Sequence, residues 1–125
     1  MTKAKPKEIS WLSDVEEHDY AAAESYLCLV YRRARVTRMM AEFRQARVVQ
    51  FKAKDVFRAS GLSLLGVSNL HVEKDREKIR KGQGLSALLL VRDEENGKVI
   101  IADGYHRLCA SYECNEDEWV HCKII

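Results

Sequence analysis

Apolar residues recur along this chain with two different periods, and the change from one to the other outlines the fold. Ala23, Tyr26, Leu27 and Val30 fall at i, i+3, i+4, i+7, and Val36, Met39, Met40 and Phe43 repeat that spacing. Each set is one stripe of an amphipathic helix, which predicts a helix opening near Asp19 and a second one behind it. Ser13-Asp14-Val15-Glu16 has the Ser-x-x-Glu form of a capping box and predicts a short turn ahead of the first helix. From Val48 the composition becomes β-branched and aromatic, so 48–53 reads as a strand and 54–59 as a single helical turn. Ser60 to Asn69 reads as a glycine-punctuated loop with buried leucines, and Asn69 as the cap of a surface helix running to about Lys81, stopped by Gly82. On that helix Glu73–Arg76 and Glu77–Lys81 stand at pairing distance.

Ala87-Leu88-Leu89-Leu90-Val91 is apolar without interruption, the pattern of a strand covered on both faces. Asn96-Gly97 closes a turn, after which 98–102 should return antiparallel. Asp103 is placed to cap the next helix, whose stripe is Tyr105, Leu108, Cys109 and Tyr112. An acidic loop, 115–118, leads to a closing strand with Val120, Cys122 and Ile124 on one face. The expected fold is α+β: a small mixed or antiparallel sheet with packed helices, preceded by an N-terminal helical pair. Its divisions are a disordered tail (1–10), the N-terminal helices (13–47) and the core (48–125).

The chemistry concentrates at the strand–glycine–helix junction Asp103-Gly104-Tyr105-His106-Arg107. His106 and Arg107 lie in the first turn of a helix, beside free backbone N–H groups and the positive end of the dipole, an arrangement suited to an anion or a phosphate. The structural alternative is an Arg107 that merely pairs with an acidic neighbour.

Asp103-Gly104-Tyr105-His106-Arg107-Leu108-Cys109-Ala110 resembles the signature of the ParB/sulfiredoxin superfamily, whose branches carry Gly-Glu-Arg-Arg and Gly-Cys-His-Arg at this point. The resemblance spans roughly Val48 to Ile125 and extends to the order of elements, as in a stand-alone ParB-like N-terminal or nuclease domain. It implies a nucleoside triphosphate, CTP or ATP, bound with Mg²⁺ on the turn. Gly104 would admit phosphate to the backbone next to Tyr105, and His106 and Arg107 would contact its oxygens, Arg107 as a bidentate fork. By element order Asn69 and His71 would line the opposite wall; Lys78 and Lys81 are basic but receive no role. Sulfiredoxins place a cysteine nucleophile where this chain has Tyr105, whose phenol is a poor substitute, so sulfinic-acid reduction is not expected. ParB has Glu and Arg where Tyr105 and His106 stand, which leaves NTPase or nuclease activity open. With no helix-turn-helix region in the sequence, DNA loading of the partition type is not expected either.

Charge adds a second candidate. Between Ser10 and Val30 there are five acids and no Lys or Arg, whereas 31–58 carries nine basic residues against two acids. Arg32, Arg35 and Arg38 could grip nucleic-acid phosphates, or the run could be a solvated face balanced by the acids before it. A protein-interaction domain that keeps the fold without catalysis is the third reading, and a homodimer stays open. The 125 residues, net charge of +2 and 46% hydrophobic content fit one globular domain. No apolar run reaches a membrane span, and the basic start lacks an apolar stretch behind it. The four cysteines show no Cys-x-x-Cys spacing, so no metal site is expected and reduced thiols in the cytoplasm fit best.

Overall fold

The computed structural model describes residues 8–64 and 69–125. In chain order the elements are α1 (Glu17–Val30), α2 (Arg33–Gln45), β1 (Val49–Lys52), α3 (Ala53–Ser60), α4 (Leu70–Arg80), β2 (Leu88–Asp93), β3 (Lys98–Asp103), α5 (Tyr105–Cys114) and β4 (Trp119–Ile124). The strands form one mixed sheet in the order β1-β4-β2-β3. β2 and β3 are the antiparallel hairpin the Asn-Gly turn predicts, β1 pairs antiparallel with β4, and β2 runs parallel to β4 through Leu88–Cys122 and Leu90–Ile124. The class is α+β, with two helices ahead of the sheet, as the periodicity predicts.

Alternation on the central strand builds two cores at once. Leu89 and Val91 face α1 and α2, packing with Tyr20, Ala23, Leu27, Val36, Met39 and Phe43. Leu88 and Leu90 face the other way, against Ala53 and Val56 of α3, Leu108 of α5, and Val120 and Cys122 of β4. A third cluster, Val72, Ile79, Leu85, Cys109 and Ala110 with Ile9, fastens α4 to α5. The ion pair Arg76–Glu113 (2.5 Å) ties the same two helices at their edge.

Several expectations are corrected. Residues 8–10 are not a disordered tail: Ile9 is buried and the Ser10 carbonyl accepts from the Leu85 amide. The remainder of that segment, 1–7, lies outside the described residues. The buried stripe of α1 is Tyr20, Ala23 and Leu27, while Tyr26 and Val30 are about half exposed. The helix rolls toward Tyr20 because the phenol reaches the buried Lys123 amine of β4 (2.9 Å). Helix α1 begins at Glu17, with no side-chain cap from the 13–16 segment. Leu62 and Leu64 are exposed rather than buried, and 65–68 lies outside the described residues. On α4, Glu77 pairs with Arg80 rather than Lys81. Among the described residues no helix is long and apolar enough to cross a membrane.

Candidate functional site

Helix α4 lies across the start of α5, and the groove between them is a cavity of about 260 Å³. One wall is a single stripe of α4, because His71, Lys74, Asp75 and Lys78 are spaced i, i+3, i+4, i+7. The other wall is the β3–α5 junction, Asp103, Gly104, His106 and Arg107. The imidazoles of His71 and His106 meet across the groove, with ring centroids 4.9 Å apart and planes tilted by 37°. Burial holds His106 below the usual imidazole pKa, and His71 opposes its protonation further. Asp75 is pushed the other way: burial raises its carboxyl against the pull of Arg107, Lys78 and the two histidines.

The α5 junction is built differently from the sequence expectation. Asp103 does not cap the helix. Gly104 occupies the N-cap position at φ 107°, and no side chain caps this end among the described residues. The Asp103 carboxylate instead accepts from Arg107 Nη2 at 2.8 Å. A Cβ on Gly104 would stand 2.8 Å from Leu88 Cγ and 3.1 Å from Arg107 Nη2, so the glycine is required both by its left-handed backbone and by the closeness of β2.

Arg107 resolves toward the structural alternative. Its guanidinium is largely buried (14% exposed) and packed between two carboxylates, Asp103 (16%) and Asp19 of α1 (7%), the latter at 3.7 Å. Its Nη2 also reaches the Ala87 carbonyl at 3.4 Å, while its Nε and one Asp19 oxygen have no hydrogen-bond partner. Two carboxylates face one cation here, and burial outweighs Arg107 in setting Asp103, whose carboxyl lies above the usual range. Arg107 therefore borders the cavity but is not available as a bidentate fork; it fastens α1 to the start of α5. On its far side Asp19 meets His18 Nε2 at 3.3 Å, and His18 in turn meets Glu16 at 2.9 Å.

The remaining candidates separate in the same way. Asn69 caps α4, its side chain accepting from the His71 and Val72 amides (3.0 and 3.2 Å), and contributes no cavity wall. Tyr105 also leaves the cavity wall and stands edge-on to Phe57, with its phenol pKa raised by burial. Gly104, His71 and His106 are brought together. Lys78 gains a place that the sequence reading withheld, whereas Lys81 does not border the cavity. Lys74 and Asp75 were missed, although their helical spacing from His71 is legible once α4 is placed. Asp19 carried no comparable signal, since it is separated from Arg107 by most of the chain.

The arginines of α2 and its N-cap also divide. Arg44 makes a two-pronged contact with Glu17 (2.7 and 3.0 Å), and Arg33 pairs with Glu24, so the acids of α1 do balance part of the run. Arg32, Arg35 and Arg38 line a shallow groove with Tyr31, whose ring lies 4.4 Å beneath the Arg35 guanidinium. No ion pair engages these three among the described residues. None of the four cysteines is in a disulfide.

No family model, no curated protein and no solved structure matches this chain.

Proposed function

We propose that the α4–α5 cavity is a phosphate site and that the chain is a ParB-like nucleotide-binding module. One observation carries the reading: Lys74, Lys78, His71 and His106 face the same cavity, beside a helix start that no side chain caps. On the α4 stripe the two ammonium groups outnumber the one carboxylate, Asp75, and on the other wall Arg107 offsets Asp103. The cavity is smaller than the roughly 300–1,000 Å³ typical of small-molecule pockets, which suits phosphate groups with the sugar and base outside. In this reading CTP or ATP binds with Mg²⁺, the lysines supply the charge assigned from the resemblance to Arg107, and the protein works in the cytoplasm with reduced thiols.

The test is thermal. ATP, CTP and GTP at millimolar concentration with Mg²⁺ are expected to raise Tm, because a ligand at a hundred times its Kd stabilises the folded state by about 2.7 kcal/mol. Lys74→Glu with Lys78→Glu should abolish the shift while leaving the unliganded Tm within a few degrees, since neither lysine is buried. An unchanged Tm with all three nucleotides sinks the proposal.

The Tyr31–Arg35 contact favours a second surface for nucleic acid at Arg32, Arg35 and Arg38, because it pairs cations with an aromatic ring on an exposed groove. Retardation of DNA or RNA should weaken steeply between 50 and 200 mM salt, by about tenfold or more for a few phosphate contacts. It should also weaken on replacing the three arginines by Gln. Binding indifferent to salt rules this surface out.

A further inference from the structure

The α4–α5 cavity holds more than an anion binder needs, since a lysine pair alone would neutralise phosphate. It also brings an imidazole, His106, and a carboxyl, Asp75, to the same groove from two different helices. We propose that His106 is a phosphoryl acceptor: its ring takes the terminal phosphoryl group of a nucleoside triphosphate seated against Lys74 and Lys78, and Asp75 protonates the departing oxygen. The inference rests on the phosphate reading above and deepens it from binding to hydrolysis through a covalent intermediate.

The geometry supplies each part. His106 is the second residue of α5, so its ring flanks the same helix start that favours phosphate oxygens. His71 lies against that ring, with centroids 4.9 Å apart, on the opposite wall of the groove. Lys74 and Lys78 lie one turn apart on α4 and bracket Asp75, so cation and proton donor reach the groove from one helix face. Arg107 and Asp103 line the same wall as His106, paired with one another at 2.8 Å.

The titratable and charged groups around His106 are His71, Lys74, Asp75 and Lys78 from α4, Asp103 from β3, and Tyr105 and Arg107 from its own helix. Burial, helped by His71 and Arg107 and opposed by Asp75 and Asp103, favours a neutral imidazole, the nucleophilic form, and burial also raises the Asp75 carboxyl above an exposed one. In the first step the ring nitrogen's lone pair forms the N–P bond. The P–O bond to the β-phosphate breaks, its electron pair stays on that oxygen, and the Asp75 proton joins it, releasing nucleoside diphosphate. In the second step water attacks phosphorus and gives its proton to the Asp75 carboxylate. The N–P bond then breaks, with its electron pair returning to the imidazole. The sum is nucleoside triphosphate plus water giving nucleoside diphosphate plus inorganic phosphate, with both residues restored.

The experiment incubates the full chain and Mg²⁺ with ATP or CTP carrying ³²P at the γ-position, with α-labelled nucleotide run in parallel. Protein-bound label is expected from the γ-position only, stable in alkali and lost in acid, as phosphohistidine is. His106→Ala and His106→Asn, each checked for a wild-type circular dichroism spectrum, should lose it entirely. Asp75→Asn should slow its appearance about a hundredfold while the nucleotide-induced Tm shift persists. A Tm shift without label overturns the covalent step and leaves the binding reading standing; neither shift nor label removes both. Acid-stable label, or label that survives in both His106 variants, overturns the assignment to His106. Full-rate labelling of Asp75→Asn overturns the role given to that carboxyl.

Discussion

Arg107→Met is expected to lower the unfolding free energy by about 3–5 kcal/mol, the cost of removing one partner from a buried ion pair. Methionine restores much of the apolar volume but no charge. Asp19 and Asp103, both largely buried, would then face each other without the guanidinium that separates them. Against a total stability of about 5–15 kcal/mol this is a large fraction, and it should appear as a lower urea midpoint with an unchanged slope.

The sign of the pH dependence follows from Asp103. Its carboxyl already lies above the ordinary value of 3.8, and losing Arg107 would raise it further. A carboxyl raised in the folded state contributes stability that is present below the unfolded-state pKa and lost as the pH climbs through the folded one. The deficit of the variant should therefore be smallest near pH 3.5–4 and grow toward neutrality. Adding Asp19→Asn and Asp103→Asn should return much of the loss, because the repulsion disappears with the charges. A single variant within about 1 kcal/mol of wild type, flat from pH 4 to 7, would show that the triad carries no such energy.

Gly104→Ala is the second large effect, at about 2–4 kcal/mol, the sum of left-handed strain in a non-glycine residue and overpacking against β2. The new methyl would collide with Leu88, one of the fully buried leucines of the central strand, which has no room to retreat. Gly97→Ala separates the two causes. That glycine has φ 62°, but a Cβ added there would meet nothing within 4 Å, so its substitution should cost only the backbone strain, about 1–2 kcal/mol. Equal losses at the two positions, read from urea midpoints, would mean that the approach of Leu88 does not matter. Since Gly104 also sets the direction of α5, the variant that folds should show a smaller nucleotide-induced Tm shift.

Much of the scaffold is legible without coordinates. The unbroken apolar run 87–91 reads as a strand covered on both faces, and the strand Leu88–Asp93 falls there, with Asn96-Gly97 turning the hairpin. The stripe Val36, Met39, Met40 and Phe43 is buried as its spacing requires. On α1 the same argument placed Ala23 and Leu27 correctly but erred at Tyr26 and Val30. A helical stripe locates a face only to within about a residue, and the Tyr20–Lys123 contact that turns α1 links strand and helix across most of the chain.

At the candidate site the division is sharper. Sequence alone determined which chemical groups sit at the start of α5 and along one face of α4, because the helical period orders neighbours a few residues apart. Only the tertiary structure decided their use. It set His71 against His106, turned Tyr105 toward Phe57, kept Asn69 as a cap, and tied Arg107, at the border of the groove, to Asp103 and Asp19. The reason is electrostatic. A buried guanidinium settles with whichever carboxylates the packed helices bring within reach, and nothing local to Arg107 records that α1 delivers Asp19.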